Sequence, residues 1–330
     1  NIGCSYSVNA SSARQKIKLR SDCEMKETYL KQSLLLIWLA ILFTACTGAT
    51  PELEDNTLQV MATTSMVGDI VRQVGGDRVS VDVLLPLGTD PHSFTPTPND
   101  VTRLVHADLL FINGAGLEEF LTPMLESAGV DLRLVDLSAT LPLRQMQGDE
   151  SDEGHGDDPH TWMDPNNIIV WSQIIADALT QVDPGNQAQY QANADVLIAD
   201  LEALDLWVRQ QVAQIPAGER NLVTDHLVFG YFADRYGFQQ TGAIIPGFST
   251  LAEPSAQELA ALEDAIGQLN VPALFVSWTG NRNLAERIAE DTGIRIIPLY
   301  THSLSPAGGE AENYQDFIRY NVNAMVSGLK

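Results

Sequence analysis

Six histidines, His92, His106, His155, His160, His226 and His302, carry most of the chemistry this 330-residue chain could perform. Four of them share a position. His92 follows VDVLLPLGTDP, His160 lies in the turn DDPHTWMDP, His226 follows NLVTD, and His302 follows IRIIPLYT. Each therefore stands at the end of a predicted strand or in the turn leaving it, where open α/β sheets bind their ligands. Two precede a long predicted helix and two follow it. Four imidazoles meeting between two halves would make a tetrahedral nitrogen site, a donor set suited to zinc. Singly, each histidine reads more readily as a hydrogen-bonded turn residue than as a ligand, and the spacings match no short zinc motif such as H-E-x-x-H.

The elements that must position these residues follow from the hydrophobic pattern. LQVMATTS, VSVDVLLP, DLLFIN and LRLVDLS read as strands, separated by helical segments such as MVGDIVRQVGG and NDVTRLVHA. After the helix NNIIVWSQIIADALTQV, residues 183–215 contain no glycine or proline beyond Asn186 until Pro216, and Leu197, Leu201, Leu204, Val208, Val212 and Ile215 recur at helical spacing. Asp183 and Pro184 suit its start, and a helix of that length reaches about 45 Å at about 1.5 Å per residue. Strands NLVTD, ALFVSW and IRIIPLY then alternate with helices, one opened by the capping box Ser255–Glu258. The fold class is thus α/β: two lobes, each a mainly parallel sheet flanked by helices, joined by one long rigid helix. The expected division is an N-terminal lobe over 58–182 with an acidic loop at 148–158, a linking helix over 183–215, and a C-terminal lobe over 216–330.

The net charge of -24 argues against nucleic-acid binding and suits a cationic partner. The three cysteines, Cys4, Cys23 and Cys46, precede the predicted lobes. MKETYLKQSLLLIWLAILFTAC, residues 25–46, reads as a secretion signal with Lys26 and Lys31 ahead of an apolar stretch too short to span a bilayer comfortably. Its end, FTAC, resembles a lipobox, with cleavage after residue 45 and lipid attached to Cys46. Residues 1–24 precede Met25 and are read as an upstream segment, and residues 46–57 as a tether.

DPHTWMDP resembles the D-P-H-x-W-x-D-P signature of the zinc- and manganese-binding proteins of ABC metal importers, the cluster A-I family. In the family's order, TDPHSFTPTP resembles its first-ligand segment, and TDHLVFGYFADRYG its third. GFSTLAEPSAQELAAL and LYTHSLSPAGGEAENYQDFIRYNV resemble the two segments that follow, so the likeness runs from about Leu58 to the end. It implies a metal held between two lobes by His92, His160, His226 and His302. The family usually has a carboxylate at the position of His302, and its manganese-preferring members usually carry glutamate at that of His226. A fourth imidazole ligating at His302 would shift the preference toward zinc; the alternative is that His302 turns away and water or another acid completes the site. His226 in place of glutamate favours zinc as the transported ion, with manganese as the alternative.

The resemblance implies a binding protein, not an enzyme, outside the cytoplasm and anchored by lipid in a periplasm or on a cell surface. Its expected partners are a divalent ion and an ABC permease in the membrane, with the chain acting as a monomer. A zinc-dependent hydrolase and a metal-stabilised adhesin are the rival readings. Asp158 and Trp162 are expected to support His160, Asp164 to cap the next helix, and His155 to be at most an auxiliary metal residue. His106 is read as a helix-surface or packing residue, and Phe229, Tyr231, Phe232 and Tyr236 as core. Affinity is expected to fall as pH drops through the histidine range.

Overall fold

The computed structural model describes residues 57–129, 132–145, 156–278 and 282–330. The upstream segment, the signal segment, Cys46, His155 and most of the acidic loop lie outside the described residues.

Strands β1 (Leu58–Ala62), β2 (Val79–Val83), β3 (Leu109–Ile112) and β4 (Leu134–Asp136) form one sheet in the order β2-β1-β3-β4. A second sheet, from β5 (Asn221–Thr224), β6 (Gln239–Ala243), β7 (Ala273–Ser277) and β8 (Arg295–Leu299), has the order β6-β5-β7-β8. Both are parallel throughout, and the two halves share one topology. Parallel neighbours need a crossover, and helices supply it. In the first half these are α1 (Ser65–Gly75), α2 (Pro98–Val105) and α3 (Leu121–Ala128). In the second they are α6 (Gly230–Tyr236), α7 (Ala256–Leu269) and α8 (Arg282–Thr292). Between the halves run α4 (Pro165–Val182) and α5 (Gln187–Val212), and α9 (Tyr314–Gly328) closes the chain.

Helices on both faces explain why β3 and β7 are buried at every position. Side chains alternate between two layers. Val60, Leu109, Phe111, Leu222, Ala273 and Phe275 point inward to one large core, while Met61, Leu110, Val223 and Leu274 face smaller outer clusters. The inner core is continuous across both halves and includes Leu197, Leu201, Leu204 and Val208 of α5. α5 packs against α4, α1, α6 and α9, so the two halves share their hydrophobic centre.

Two details depart from the sequence expectation. The linking α-helix runs Gln187–Val212, after a 3-10 turn at Pro184–Asn186, and not over the expected 183–215. Asp183 does not cap it, because its carboxylate accepts from Asn186 Nδ2 at 2.6 Å and from the Tyr190 hydroxyl at 2.7 Å. Its 26 residues span about 39 Å at about 1.5 Å each. Strand β6, QQTGA, is an edge strand with little apolar content, so it lacks the hydrophobic run that marks the others. The capping box of Ser255 and Glu258 forms as expected.

A core shared by both halves predicts cooperative unfolding. Leu201→Ala, at a fully buried site, should cost about 2–5 kcal/mol, while Val196→Ala, 64% exposed on the same helix, should change stability by less than about 0.5 kcal/mol. Denaturant titration followed by tryptophan fluorescence and by circular dichroism checks this, and both probes should report one coincident transition.

Candidate metal centre

Each of the four histidines is set in place by a different local device. His92 lies in the 3-10 turn Pro91–Ser93, whose N-cap, Asp90, accepts from the His92 backbone N–H at 3.0 Å. His160 precedes the turn Thr161–Met163, after which Asp164 accepts from Asn166 N and Pro165 opens α4. The capping role expected of Asp164 is therefore observed. Asn113 Nδ2 donates to the Pro159 carbonyl at 2.9 Å, so β3 grips the turn from behind. His226 lies two residues past β5, where Thr224 Oγ1 donates to its carbonyl. His302 follows β8, whose exit is clamped by two hydrogen bonds between Asn321 and the Tyr300 backbone.

These devices bring the four side chains to one point. One ring nitrogen from each lies within 4.8 Å of the other three. The Nε2 atoms of His92 and His160 are 3.3 Å apart, and those of His226 and His302 are 3.1 Å apart. Four nitrogens placed about 2.0–2.1 Å from a common centre at tetrahedral angles stand about 3.3 Å from one another. His160, His226 and His302 are buried, and His92 alone of the four reaches the surface in part.

Buried carboxylates fix which nitrogen faces the centre. Nδ1 of His160 is 2.8 Å from Asp158 Oδ1, and Nδ1 of His226 is 2.8 Å from Asp225 Oδ1. Each Nδ1–H donates to its aspartate, so each Nε2 lone pair points inward. Burial, with the neighbouring imidazoles, holds His160 and His302 well below the usual histidine range. Burial lowers His92 to about 4, against the opposing pull of Asp90. These three rings are therefore neutral at neutral pH, the state in which imidazole ligates metal. Burial also pushes Asp158 up to about 6, although the His160 backbone N–H and the Arg144 guanidinium pull it down.

Arg144 holds this arrangement from outside. It pairs with Asp158 at 2.9 Å and with Asp234 at 2.6 Å. Gly230 leaves room for it, since a Cβ there would collide with the guanidinium. The Tyr231 hydroxyl donates to the Asp158 carbonyl and accepts from Arg144 N, so this core residue also braces the centre. Trp162 is buried beside the rings, 5.2 Å from His160 and 6.1 Å from His302 by centroids, and its Nε1 donates to the Thr301 carbonyl. His106 is an exposed residue at the end of α2, outside the cluster.

Asp90, Asp225 and Arg144 were not singled out from the sequence. For the two acids a signal existed: DPH, DPH and DH put an acid one or two residues ahead of His92, His160 and His226, while His302 in THS has none. Nothing local marks Arg144, fourteen residues before Asp158 in sequence and brought to it by the fold.

The sequence of residues 60–328 matches the family model described as ZnuA, zinc-uptake complex component A, periplasmic. The chain belongs to this family. ZnuA-family membership makes it a substrate-binding protein of metal transport and not an enzyme. Among the relatives, the manganese-binding lipoprotein MntA of Halalkalibacterium halodurans is 32% identical over 302 residues, 90% of this chain and 97% of that protein. The manganese ABC transporter substrate-binding lipoprotein PsaA of Streptococcus pneumoniae is 30% identical over 308 residues, 90% of this chain and 98% of its own. Among solved structures, the periplasmic zinc-binding protein TroA of Treponema pallidum superposes with a TM-score of 0.76 at 27% identity, covering 83% of this chain and 99% of that one.

Protons compete with a metal ion only below the pKa of the free ligand. Three of the four rings are held below the usual histidine range, so zinc affinity should fall with pH and do so most steeply as pH approaches the value of about 4 held by His92. Zinc titrations from about pH 8 to about pH 4 check the sign and the window. A loss between about pH 7.5 and 6.5 steeper than about tenfold per pH unit, which needs more than one proton per ion in the ordinary histidine range, would contradict it.

Proposed function

We propose that this chain captures zinc outside the cytoplasmic membrane and passes it to an ABC permease. His92, His160, His226 and His302 are the ligands in this reading. The observation that carries it is the convergence of four imidazole nitrogens on one largely buried point. Four nitrogen donors suit zinc, whereas manganese favours oxygen. A set of four protein ligands leaves no open coordination position for a reacting water, which argues against the hydrolase reading. One copy of the chain carries the whole set, which supports action as a monomer.

The remaining parts fit the same cycle. The FTAC segment supports lipid attachment at Cys46, and MntA and PsaA are lipoproteins by name. No helix among the described residues is long and apolar enough to cross a membrane. Residues 58–182 and 216–330 would act as the two lobes, with 183–215 linking them. The shared core through α5 supports small lobe rotations and loop shifts in place of wide hinge closure.

Manganese is the second reading, favoured by the names of MntA and PsaA. The two are separated by elemental analysis of protein purified without added metal, followed by competition between the ions. Zinc should be recovered at about one ion per chain and should displace manganese. His302→Asp, which restores an oxygen donor, should narrow the preference for zinc. Manganese as the recovered ion, or a preference unchanged in His302→Asp, would overturn the zinc reading.

A further inference from the structure

The site has an uneven supply of negative charge. His160 and His226 each have an aspartate at hydrogen-bond distance from Nδ1. For His302, Nδ1 lies 3.3 Å from the Thr301 hydroxyl, which itself bonds Ser277 Oγ at 2.6 Å, and the carboxylate of Asp90 stands farther off at 3.9 Å. Asp90 belongs to the other half of the molecule. Its Oδ1 accepts from the His92 backbone N–H, and its Oδ2 accepts from the Thr250 hydroxyl at 2.6 Å. One carboxylate thus touches the loop that carries His92, approaches the ring of His302, and is held by the segment after β6 that also brings Phe248 within 6.2 Å of His160.

Charge bookkeeping gives this placement a purpose. A divalent cation held by four neutral imidazoles leaves two positive charges in a poorly hydrated site. Asp158 and Asp225 supply negative charge behind two of the rings, and Arg144 divides its charge between Asp158 and Asp234. Behind His302 no such aspartate stands at hydrogen-bond distance, and Asp90 is the carboxylate positioned to offset the cation's charge on that side without ligating.

We propose that Asp90 is a positioning residue that offsets the charge of the occupied centre through His302, and that its hydrogen bond to Thr250 is a catch that slows opening of the two halves around the cation. This rests on reading His302 as the fourth ligand. Asp90 acts outside the ligand set: it orients a ring, balances charge and joins the halves. Catch and charge are separable, because Thr250 touches only the Oδ2 side of Asp90.

The test uses the full chain, with Zn2+ alone as the affinity probe and Co2+ as the spectroscopic one. Asp90→Asn keeps the size of the side chain and a carbonyl oxygen for the His92 N–H but removes the charge. It should weaken zinc binding about 10–100-fold, the usual effect of losing an outer partner of a ligating histidine, and shift the visible ligand-field bands of the Co2+ form. Thr250→Val should speed zinc release to a chelator about tenfold while leaving those bands in place, and Thr250→Ser should restore the slow release. Zinc affinity in Asp90→Asn within about twofold of the parent, or release from Thr250→Val at the parental rate, would overturn the proposal while leaving the ligand assignment intact. Parental affinity in His302→Ala would overturn the assignment itself.

Discussion

Two hydrogen bonds of 2.8 Å, from Nδ1 of His160 to Asp158 and from Nδ1 of His226 to Asp225, decide what this centre can do. They hold one proton on the outer nitrogen of each ring and turn the inner lone pair toward the opposite half of the molecule. Without them each imidazole could choose either tautomer and rotate about χ2, and the four donors would have no common focus. The bonds demand buried carboxylates, which are costly unless partnered. Asp158 is therefore met by Arg144 and the His160 backbone, and Asp225 by the N–H groups of His226 and Ser277.

That requirement propagates outward into the fold. Arg144 reaches Asp158 only because Gly230 at the start of α6 leaves space, and Asp234 on the same helix takes the rest of its charge. The turn of His160 is held by Asn113, whose loop is tied by its N–H and that of Gly114 to the buried carboxylate of Glu118, itself pushed up to about 7 by burial. Trp162 joins the turn to Thr301 ahead of His302, and Tyr314 of α9 donates to the Trp162 carbonyl. The histidine-bearing loops of both halves are thus braced against each other by side chains of the shared core. The geometry suits a carrier that holds a cation without wide opening.

Much of this was legible in the sequence. The strands buried on both faces announced themselves by continuous apolar runs, and the inner face of α5 by leucines at helical spacing. Of the four histidines, His226 and His302 follow strands closely, whereas His160 lies in a turn 24 residues past β4, so a position after a strand does not account for it. What escaped were features whose meaning depends on distance in space. β6 owes its place to an edge position and not to its own composition. Pro184 and the engagement of Asp183 by Tyr190 delayed the start of α5. Arg144, Asp90 and Thr250 act on residues that only the folded chain brings near them. The acid ahead of His226 could have been read as Asp158 was, since a carboxylate one or two residues before an imidazole is well placed to bond its outer nitrogen.

X-ray absorption at the zinc edge of the loaded protein tests the central claim most directly. The account predicts a single shell of four nitrogen atoms at about 2.0–2.1 Å, with outer scattering from four imidazole rings. A shell of mixed oxygen and nitrogen with fewer than four rings would contradict it.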